Sequence, residues 1–218
     1  MINEEGFTSE FIKLAEIRLP EFTGTRVMMM PVVLGDMESI PSTLKHYKEC
    51  IESLFLLQKH KDEIGYITID EKFVVAGTSH RRGGKHVDGV YQGTCGGWGG
   101  GGGGWGSHGN GMLTVSSHAA CQAWRGFFRG WPGMEGECDH LAEQCVLGEV
   151  FEPKTVYWVD GMCVHESMPI DKDIDRQFIR LSLPSGGPWF EGYTENPLGI
   201  KPSAEILPTR VFMEQDDE

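Results

Sequence analysis

Two histidines and an aspartate are the residues of this chain best suited to holding a metal ion. His86 and Asp88 stand two residues apart in the segment HVD, and in an extended strand such a pair points to the same face. His165 follows 77 residues after Asp88, in the segment MCVHESMPI. Two imidazoles and one carboxylate on one side of iron(II) leave three coordination positions open. We therefore predict a metal centre at His86, Asp88 and His165, although a lone His-x-Asp pair also occurs on ordinary exposed strands.

The segment after His165 carries alternating polar side chains that suit an anion. Arg176, Arg180 and Ser182 share one face of a strand by its period of two residues. A turn centred near Asp173 predicts a hairpin that places His165 opposite the region around Arg180. Two arginines that face an interior are costly unless an anion meets them. The pattern therefore favours a dicarboxylate ligand beside the metal.

The order of these motifs resembles that of a known superfamily. HVD, a single His 77 residues later and RLSLP 15 residues after that His together are similar to the iron(II)/2-oxoglutarate-dependent dioxygenases. The Arg-x-Ser-Leu-Pro form is especially similar to the branch of isopenicillin N synthase and the plant hormone dioxygenases. The resemblance covers roughly residues 64–190 and indicates no particular subfamily.

This resemblance implies a double-stranded β-helix with iron(II) on His86, Asp88 and His165. It implies 2-oxoglutarate on Arg180 and Ser182, and hydroxylation of a C–H bond by dioxygen with release of succinate and carbon dioxide. A carboxylate at position 88 argues against the halogenating members.

The sequence leaves open which arginine binds the cosubstrate. Some superfamily members place that arginine nearer the second His, so Arg176 could bind 2-oxoglutarate and Arg180 the substrate. We favour Arg180 at this point, for its position in the predicted hairpin and its Ser182 partner.

Three other interpretations compete with this one. A cupin-like iron enzyme would not use 2-oxoglutarate and would not need the Arg180–Ser182 pair. A non-catalytic jelly-roll binding module would make both histidines incidental. Cys138, His140 and Cys145, completed by Cys163 or His118, could bind zinc, but their spacing matches no common zinc module.

The elements that must position these residues are mostly short strands. Residues 8–18 begin with the capping residue Thr8 and show helical apolar spacing before Pro20, which predicts a short helix. Residues 26–34 are apolar and β-prone, and residues 42–58 predict an amphipathic helix. The helical face of the latter consists of Leu44, Tyr47, Ile51, Leu54 and Phe55.

From residue 64 onward short β-like runs alternate with turns. This texture predicts a mainly β fold, a double-stranded β-helix or jelly roll buttressed by N-terminal helices. We expect one domain over residues 1–218: residues 1–63 support a β core of residues 64–190, and residues 191–218 extend it. Residues 122–148 are expected to be loop-rich. Residues 93–111, 12 of them glycine, predict a mobile loop that is either a lid or a linker.

Composition limits the partners. Nineteen basic and 32 acidic side chains give a formal charge of −13, which disfavours nucleic acid and anionic lipid. The first residues do not resemble a secretory signal and no apolar stretch is long enough to span a bilayer, so we expect a cytoplasmic protein. Six dispersed cysteines predict free thiols. The expected substrate is a small molecule or a peptide, and the basic cluster Arg81, Arg82 and Lys85 could attract an anionic one.

Overall fold

Strands dominate the parts of the chain that the structure describes. The computed structural model describes residues 6–88, 111–133, 136–184 and 189–208. The strands are β1 Gly6–Ser9, β2 Phe11–Glu16, β3 Arg26–Val33, β4 Ile64–Val74, β5 Met112–Ser116, β6 Cys121–Trp124, β7 Gly126–Arg129, β8 Gly148–Val150, β9 Thr155–Val159, β10 Val164–Ser167, β11 Ile174–Ser182, β12 Trp189–Phe190 and β13 Ile206–Leu207. One α-helix, α1, spans Lys48–Leu56, and 3-10 helices span Met37–Ser39, Ser42–Tyr47 and Asp139–Gln144.

Two antiparallel sheets contain most of these strands. The larger sheet has the order β2-β9-β5-β11-β4-β3, and the smaller has the order β10-β6-β8. The described residues also form two two-stranded sheets: β1 pairs with β7 in antiparallel orientation, and β12 pairs with β13 in parallel orientation. The prediction of a mainly β chain is therefore confirmed.

One face of the larger sheet packs against α1. The sheet contributes apolar side chains at alternate positions of its strands, because successive residues of a strand point to opposite faces. These are Ile67, Ile69, Leu113, Val115, Ile179 and Leu181. All five residues of the predicted helical face, Leu44 to Phe55, are buried in the same cluster, so the helix prediction for residues 42–58 is confirmed, with its first turns in 3-10 form.

The other face of the larger sheet looks toward the smaller sheet. A buried apolar cluster joins Phe11, Met112 and Tyr157 of the larger sheet to Ala123 of the smaller one. Arg176 of β11 bonds to the hydroxyl of Ser167 on β10 through its Nη1 atom at 3.4 Å. The space between the two sheets is thus part apolar core and part polar cavity.

The helix predicted for residues 8–18 is wrong. These residues form the end of β1 and the whole of β2, which is the edge strand paired with β9. Only Phe11 of the three residues at helical spacing is buried, and Leu14 is exposed. So short a helix is marginal by itself, whereas pairing along β9 satisfies the backbone over most of the segment.

The predicted hairpin between the strands of His165 and Arg180 is also wrong. β10 pairs with β6, whereas β11 pairs with β4 on one side and β5 on the other. The two strands belong to different sheets, because residues 168–173 cross from one sheet to the other instead of turning back. His165 and Arg180 therefore approach each other across the space between the sheets and not along a ladder.

Residues 122–148 contain more structure than expected. β6 is the central strand of the smaller sheet, and β7 pairs with β1. Each strand has four residues, and only Arg125 separates them. Their alternation of apolar and polar residues is therefore too short to predict a strand. Most of the glycine run, including Trp98 and Trp105, lies outside the described residues, and so does the predicted lid or linker.

Two further findings bear on the expectations from composition. Five cysteines, at positions 50, 121, 138, 145 and 163, are free thiols, and Cys95 lies outside the described residues. Among the described helices none combines the length and the apolar character needed to cross a membrane.

Leu54 tests the packing of α1. Its side chain is 0% exposed in the helix–sheet core, whereas Leu56 on the same helix is 80% exposed. Leu54→Ala should lower the free energy of unfolding by about 2–5 kcal/mol, since it leaves a cavity in a packed core. Leu56→Ala should change it by less than about 0.5 kcal/mol. Urea unfolding of both variants measures this, and equal losses would contradict the burial of Leu54 between α1 and the larger sheet.

Candidate metal centre

A reciprocal pair of backbone hydrogen bonds brings His86 and His165 together. The His86 N–H donates to the carbonyl of His165 and the His165 N–H donates to the carbonyl of His86, both at 2.9 Å. This isolated bridge extends the smaller sheet beyond β10. Val87 points the other way and is fully buried among apolar side chains, so His86 and Asp88 face the same side. The i, i+2 argument for HVD is confirmed, although the segment is not part of a longer strand.

The three side chains converge on one point. One ligand atom from each of His86, Asp88 and His165 lies within 4.8 Å of the others. The two imidazole rings have centroids 4.4 Å apart, and Oδ2 of Asp88 lies 3.9 Å from Nε2 of His165. His86 and Asp88 are buried, and His165 is partly exposed. Two nitrogen donors and one carboxylate with room beside them suit a mononuclear iron(II) or a similar divalent ion.

Backbone carbonyls orient both imidazoles. Nδ1 of His86 donates to the carbonyl of Gly84 at 2.8 Å, and Nδ1 of His165 donates to the carbonyl of Cys163 at 2.9 Å. A carbonyl oxygen can only accept, so each Nδ1 carries a hydrogen. Nε2 is then the ring atom that can offer a lone pair to a metal. Histidine ligands in metalloproteins are held in this way.

The protonation states also favour a cation. Burial lowers the pKa of His86 to about 3, with the neighbouring His165 acting in the same direction. Burial alone would raise the pKa of Asp88, but His165, Arg180 and His86 outweigh it and hold that pKa below its usual value. At neutral pH the site therefore presents a neutral His86 and an ionised Asp88, which are the forms that bind a metal.

Arg180 contacts Asp88 directly. Its Nη1 lies 3.0 Å from Oδ2 of Asp88, and both side chains are buried. Met29 covers the other side: its Sδ lies 3.8 Å from Nη2 of Arg180 and 3.7 Å from Oγ of Ser182. Arg180 and Ser182 share an inward face of β11, as predicted, but both terminal nitrogens of Arg180 and the hydroxyl of Ser182 contact Asp88 or Met29.

Arg176 has a different environment. Its side chain is 1% exposed, its Nε donates to Oγ of Ser116 at 3.0 Å, and its Nη1 donates to Oγ of Ser167 at 3.4 Å. No carboxylate among the described residues lies within ion-pairing distance of its guanidinium. Burial lowers its pKa to about 10, so it stays charged at neutral pH. A buried charge held by two neutral hydroxyls alone is unusual.

A cavity of about 90 Å³ joins the triad to Arg176. Its walls are Arg81, Arg82, His86, Asp88, Cys121, His165, Ser167, Arg176 and Phe178. Neither Arg180 nor Ser182 belongs to these walls. All three predicted metal ligands and one of the two predicted arginines thus surround the same space.

Asp70 organises one rim of this cavity and was missed by sequence reasoning. It accepts from Nη1 of Arg81 at 2.7 Å, and it lies 3.4 Å from Nε2 of His80 and 3.2 Å from Nε of Arg26. Arg81 also stacks over the ring of Phe178 at 5.2 Å. The period of two from Tyr66 and Thr68 would have placed Asp70 on this face.

Ser167, also missed, stands two residues after His165 on β10, so the same rule would have found it. Cys121 and Ser116 enter the region only through strand pairing, for which the sequence holds no local signal.

The zinc alternative receives no geometric support. Among the described residues, His86, Asp88 and His165 form the one group of three or more ligand-type side chains close enough to share an ion. Cys138 and Cys163 are buried, and burial raises the pKa of both thiols, which disfavours the thiolate that zinc needs.

His165→Ala should abolish tight binding of a divalent ion, because two of three ligands remain. The loss should exceed the roughly 10–100-fold that removal of a supporting contact costs. His118→Ala is the matched control: His118 bonds to Ser117 at 2.8 Å and is not one of the triad. Calorimetric titration with Mn²⁺ measures both. A similar affinity in the two variants would place the ion elsewhere.

No protein-family model, no curated protein and no solved structure matches this chain. What supports a function is therefore the chemistry of the side chains around the cavity, together with the motif order along the sequence.

Proposed function

We propose that this chain is an iron(II)- and 2-oxoglutarate-dependent oxygenase that hydroxylates a C–H bond of a small molecule or a peptide. The observation that carries the proposal is the shared cavity of His86, Asp88, His165 and Arg176. A site for a divalent cation and a buried guanidinium that lacks a described carboxylate partner lie in the walls of one small space. A ligand with a chelating 2-oxo acid at one end and a second carboxylate at the other suits both.

Arg176 is the residue that we assign to the distal carboxylate of 2-oxoglutarate. Arginine offers a permanent charge and paired donors that match a carboxylate, and the hydroxyls of Ser116 and Ser167 already orient it. Ser167 itself lines the cavity, and its hydroxyl donates to the carbonyl of Ala120 at 3.5 Å. This reverses the sequence-based preference for Arg180 and Ser182, whose polar atoms are in contact with Asp88 and Met29.

Bound iron(II) would supply the oxidative chemistry, in which dioxygen and 2-oxoglutarate are converted to succinate and carbon dioxide as the substrate is hydroxylated. The protein's own contribution is binding and orientation. His86, Asp88 and His165 would hold the ion. Arg176 draws the cosubstrate to the cavity, and the buried part of its wall, at His86, Asp88, Ser167 and Arg176, restricts access of water to the reacting groups.

The arrangement of the sheets supports the proposed fold, a double-stranded β-helix. Such a fold has two facing antiparallel sheets with the site between them, and helices packed on an outer face. Here β10-β6-β8 faces the larger sheet, α1 packs outside, and the cavity lies between. The buttress contains one α-helix and 3-10 turns among the described residues, not the second helix that we predicted for residues 8–18.

The substrate enters past a basic rim. Arg81, Arg82 and Phe178 line the cavity beside the triad, which suits a substrate with an acidic group and an apolar part. A formal charge of −13 over the whole chain disfavours nucleic acid as that substrate. We place the reaction in the cytoplasm and expect no membrane partner.

An anaerobic titration tests the function. Purified protein is loaded with iron(II) and then titrated with 2-oxoglutarate, and the visible charge-transfer band of a chelated 2-oxo acid is followed. We expect a saturable band, and succinate once oxygen and a substrate are supplied. Iron binding without a band would favour a cupin-like enzyme instead. Absence of metal binding would favour a non-catalytic binding module.

Arg176→Met should weaken 2-oxoglutarate binding by about 2–5 kcal/mol, the usual cost of removing one partner of a buried charge pair. Iron binding should change little, because Arg176 contacts none of the three ligands. Arg18→Met, at an exposed position on the same chain, serves as the control for loss of one positive charge. The titration above measures all three proteins. Unchanged cosubstrate affinity in Arg176→Met would remove this residue from the site.

A further inference from the structure

We propose that Arg180 is a positioning residue for the metal-binding carboxylate: it holds Asp88 by one oxygen and so limits how that carboxylate can coordinate the ion. The proposal rests on the function argued above only in requiring that the triad binds a divalent cation. It gives Arg180 a role that is separate from cosubstrate binding.

The contact is direct and buried. Nη1 of Arg180 lies 3.0 Å from Oδ2 of Asp88, and Arg180 is 3% exposed. The two residues are 92 positions apart in the chain, so the fold and not local sequence brings them together. Charge-assisted hydrogen bonds of this kind are about twice as strong as neutral ones and more demanding of geometry.

Neighbouring elements hold Arg180 in this position. Thr68 of β4 and Thr114 of β5 stand opposite it in the two flanking ladders. Met29 lies over it with its Sδ 3.8 Å from Nη2. The Met29 backbone is fixed in turn, since its N–H donates to Oγ1 of Thr68 at 3.1 Å and its carbonyl accepts from Nε1 of Trp189 at 2.8 Å. Two flanking strands and Met29 thus surround the guanidinium beside Asp88.

This contact has a consequence for coordination. A carboxylate can bind a cation through one oxygen or through both. When Arg180 bonds to an oxygen of Asp88, chelation by both oxygens must compete with that bond. Coordination through one oxygen leaves three positions open beside two histidines, the number that a chelating 2-oxo acid and dioxygen require. Arg180 would therefore keep open the third coordination position that the proposed reaction needs.

The two arginines of β11 have different contacts and different roles. They stand four residues apart on the same face of one strand, and both are buried. Arg180 reaches a metal ligand, whereas Arg176 reaches hydroxyl groups in the cavity wall. Replacement of either removes one buried positive charge from the same strand, so each is a matched control for the other.

The experiment compares Co²⁺ binding by the wild-type chain and the variants Arg180→Met, Arg180→Lys and Arg176→Met. Affinity comes from calorimetry, and coordination comes from the visible ligand-field spectrum of the bound Co²⁺. Arg180→Met should bind Co²⁺ with an altered spectrum, because both oxygens of Asp88 are then able to coordinate the ion, and loss of the orienting partner should change the Co²⁺ affinity roughly 10–100-fold. Arg176→Met should match the wild type in both readouts.

The Arg180→Lys variant still tests the proposal if Arg180→Met does not fold. Lysine keeps the charge but lacks the planar fork that fixes the carboxylate, so it should also alter the spectrum and the affinity, though less than Met does. The proposal is overturned if the folded Arg180 variants bind Co²⁺ with an unchanged spectrum.

The same data separate this proposal from the proposed function. Wild-type binding of Co²⁺ and 2-oxoglutarate, with no effect of Arg180, would overturn the positioning role alone. If the Arg180 variants change Co²⁺ coordination but the wild-type chain does not bind 2-oxoglutarate, the positioning role is supported and the oxygenase assignment is removed. A wild-type chain that binds no Co²⁺ would overturn both.

Discussion

Two buried guanidinium groups on the inward face of β11 impose the main physical constraint on this molecule. Taking a charge out of water costs several kcal/mol unless a partner compensates it, and Arg176 and Arg180 both lie between the sheets. Asp88 meets Arg180, so a carboxylate beside the two histidines is also part of the stability of the core. Arg176 is met only by hydroxyl groups among its described contacts, which is the reason for proposing an anionic ligand there.

The opposite face of the larger sheet is apolar and tightly packed, and its burial offsets the free-energy cost of the buried charges on the polar face. Isoleucine and leucine side chains of β4, β5 and β11 pack against α1. Near the end of that face Glu71 accepts from the hydroxyl of Tyr47 at 2.5 Å and from Nε2 of Gln177 at 2.7 Å. Gln177 adjoins Arg176 on β11, so this network ties the helical layer to the strand that carries both arginines.

Strand pairing and backbone bridging bring the two halves of the site together. The bridge between His86 and His165 fixes the relative height of the two imidazoles, and the carbonyls of Gly84 and Cys163 fix their rotation. Contacts that hold both rings in place lower the conformational entropy that the side chains would lose on binding a ligand.

The sequence by itself determined the features that depend on local periodicity. The period of two placed Arg176, Arg180 and Ser182 on one inward face and aligned His86 with Asp88, and the helical period identified the buried face of residues 42–58. Each follows from the backbone geometry of a single element. The error at residues 8–18 has the same origin, since apolar residues at Phe11, Leu14 and Ile17 fit a short helix until β9 provides a pairing partner.

Only the tertiary structure decided which strands pair and therefore which side chains meet. β10 pairs with β6 and β11 with β4 and β5, a choice set by the packing of whole sheets and by no residue near the turn between them. That choice turned Arg180 toward Asp88 and left Arg176 in the cavity. Side chains four residues apart on one strand face look equivalent in sequence, and they differ here because each meets a different part of the opposite sheet.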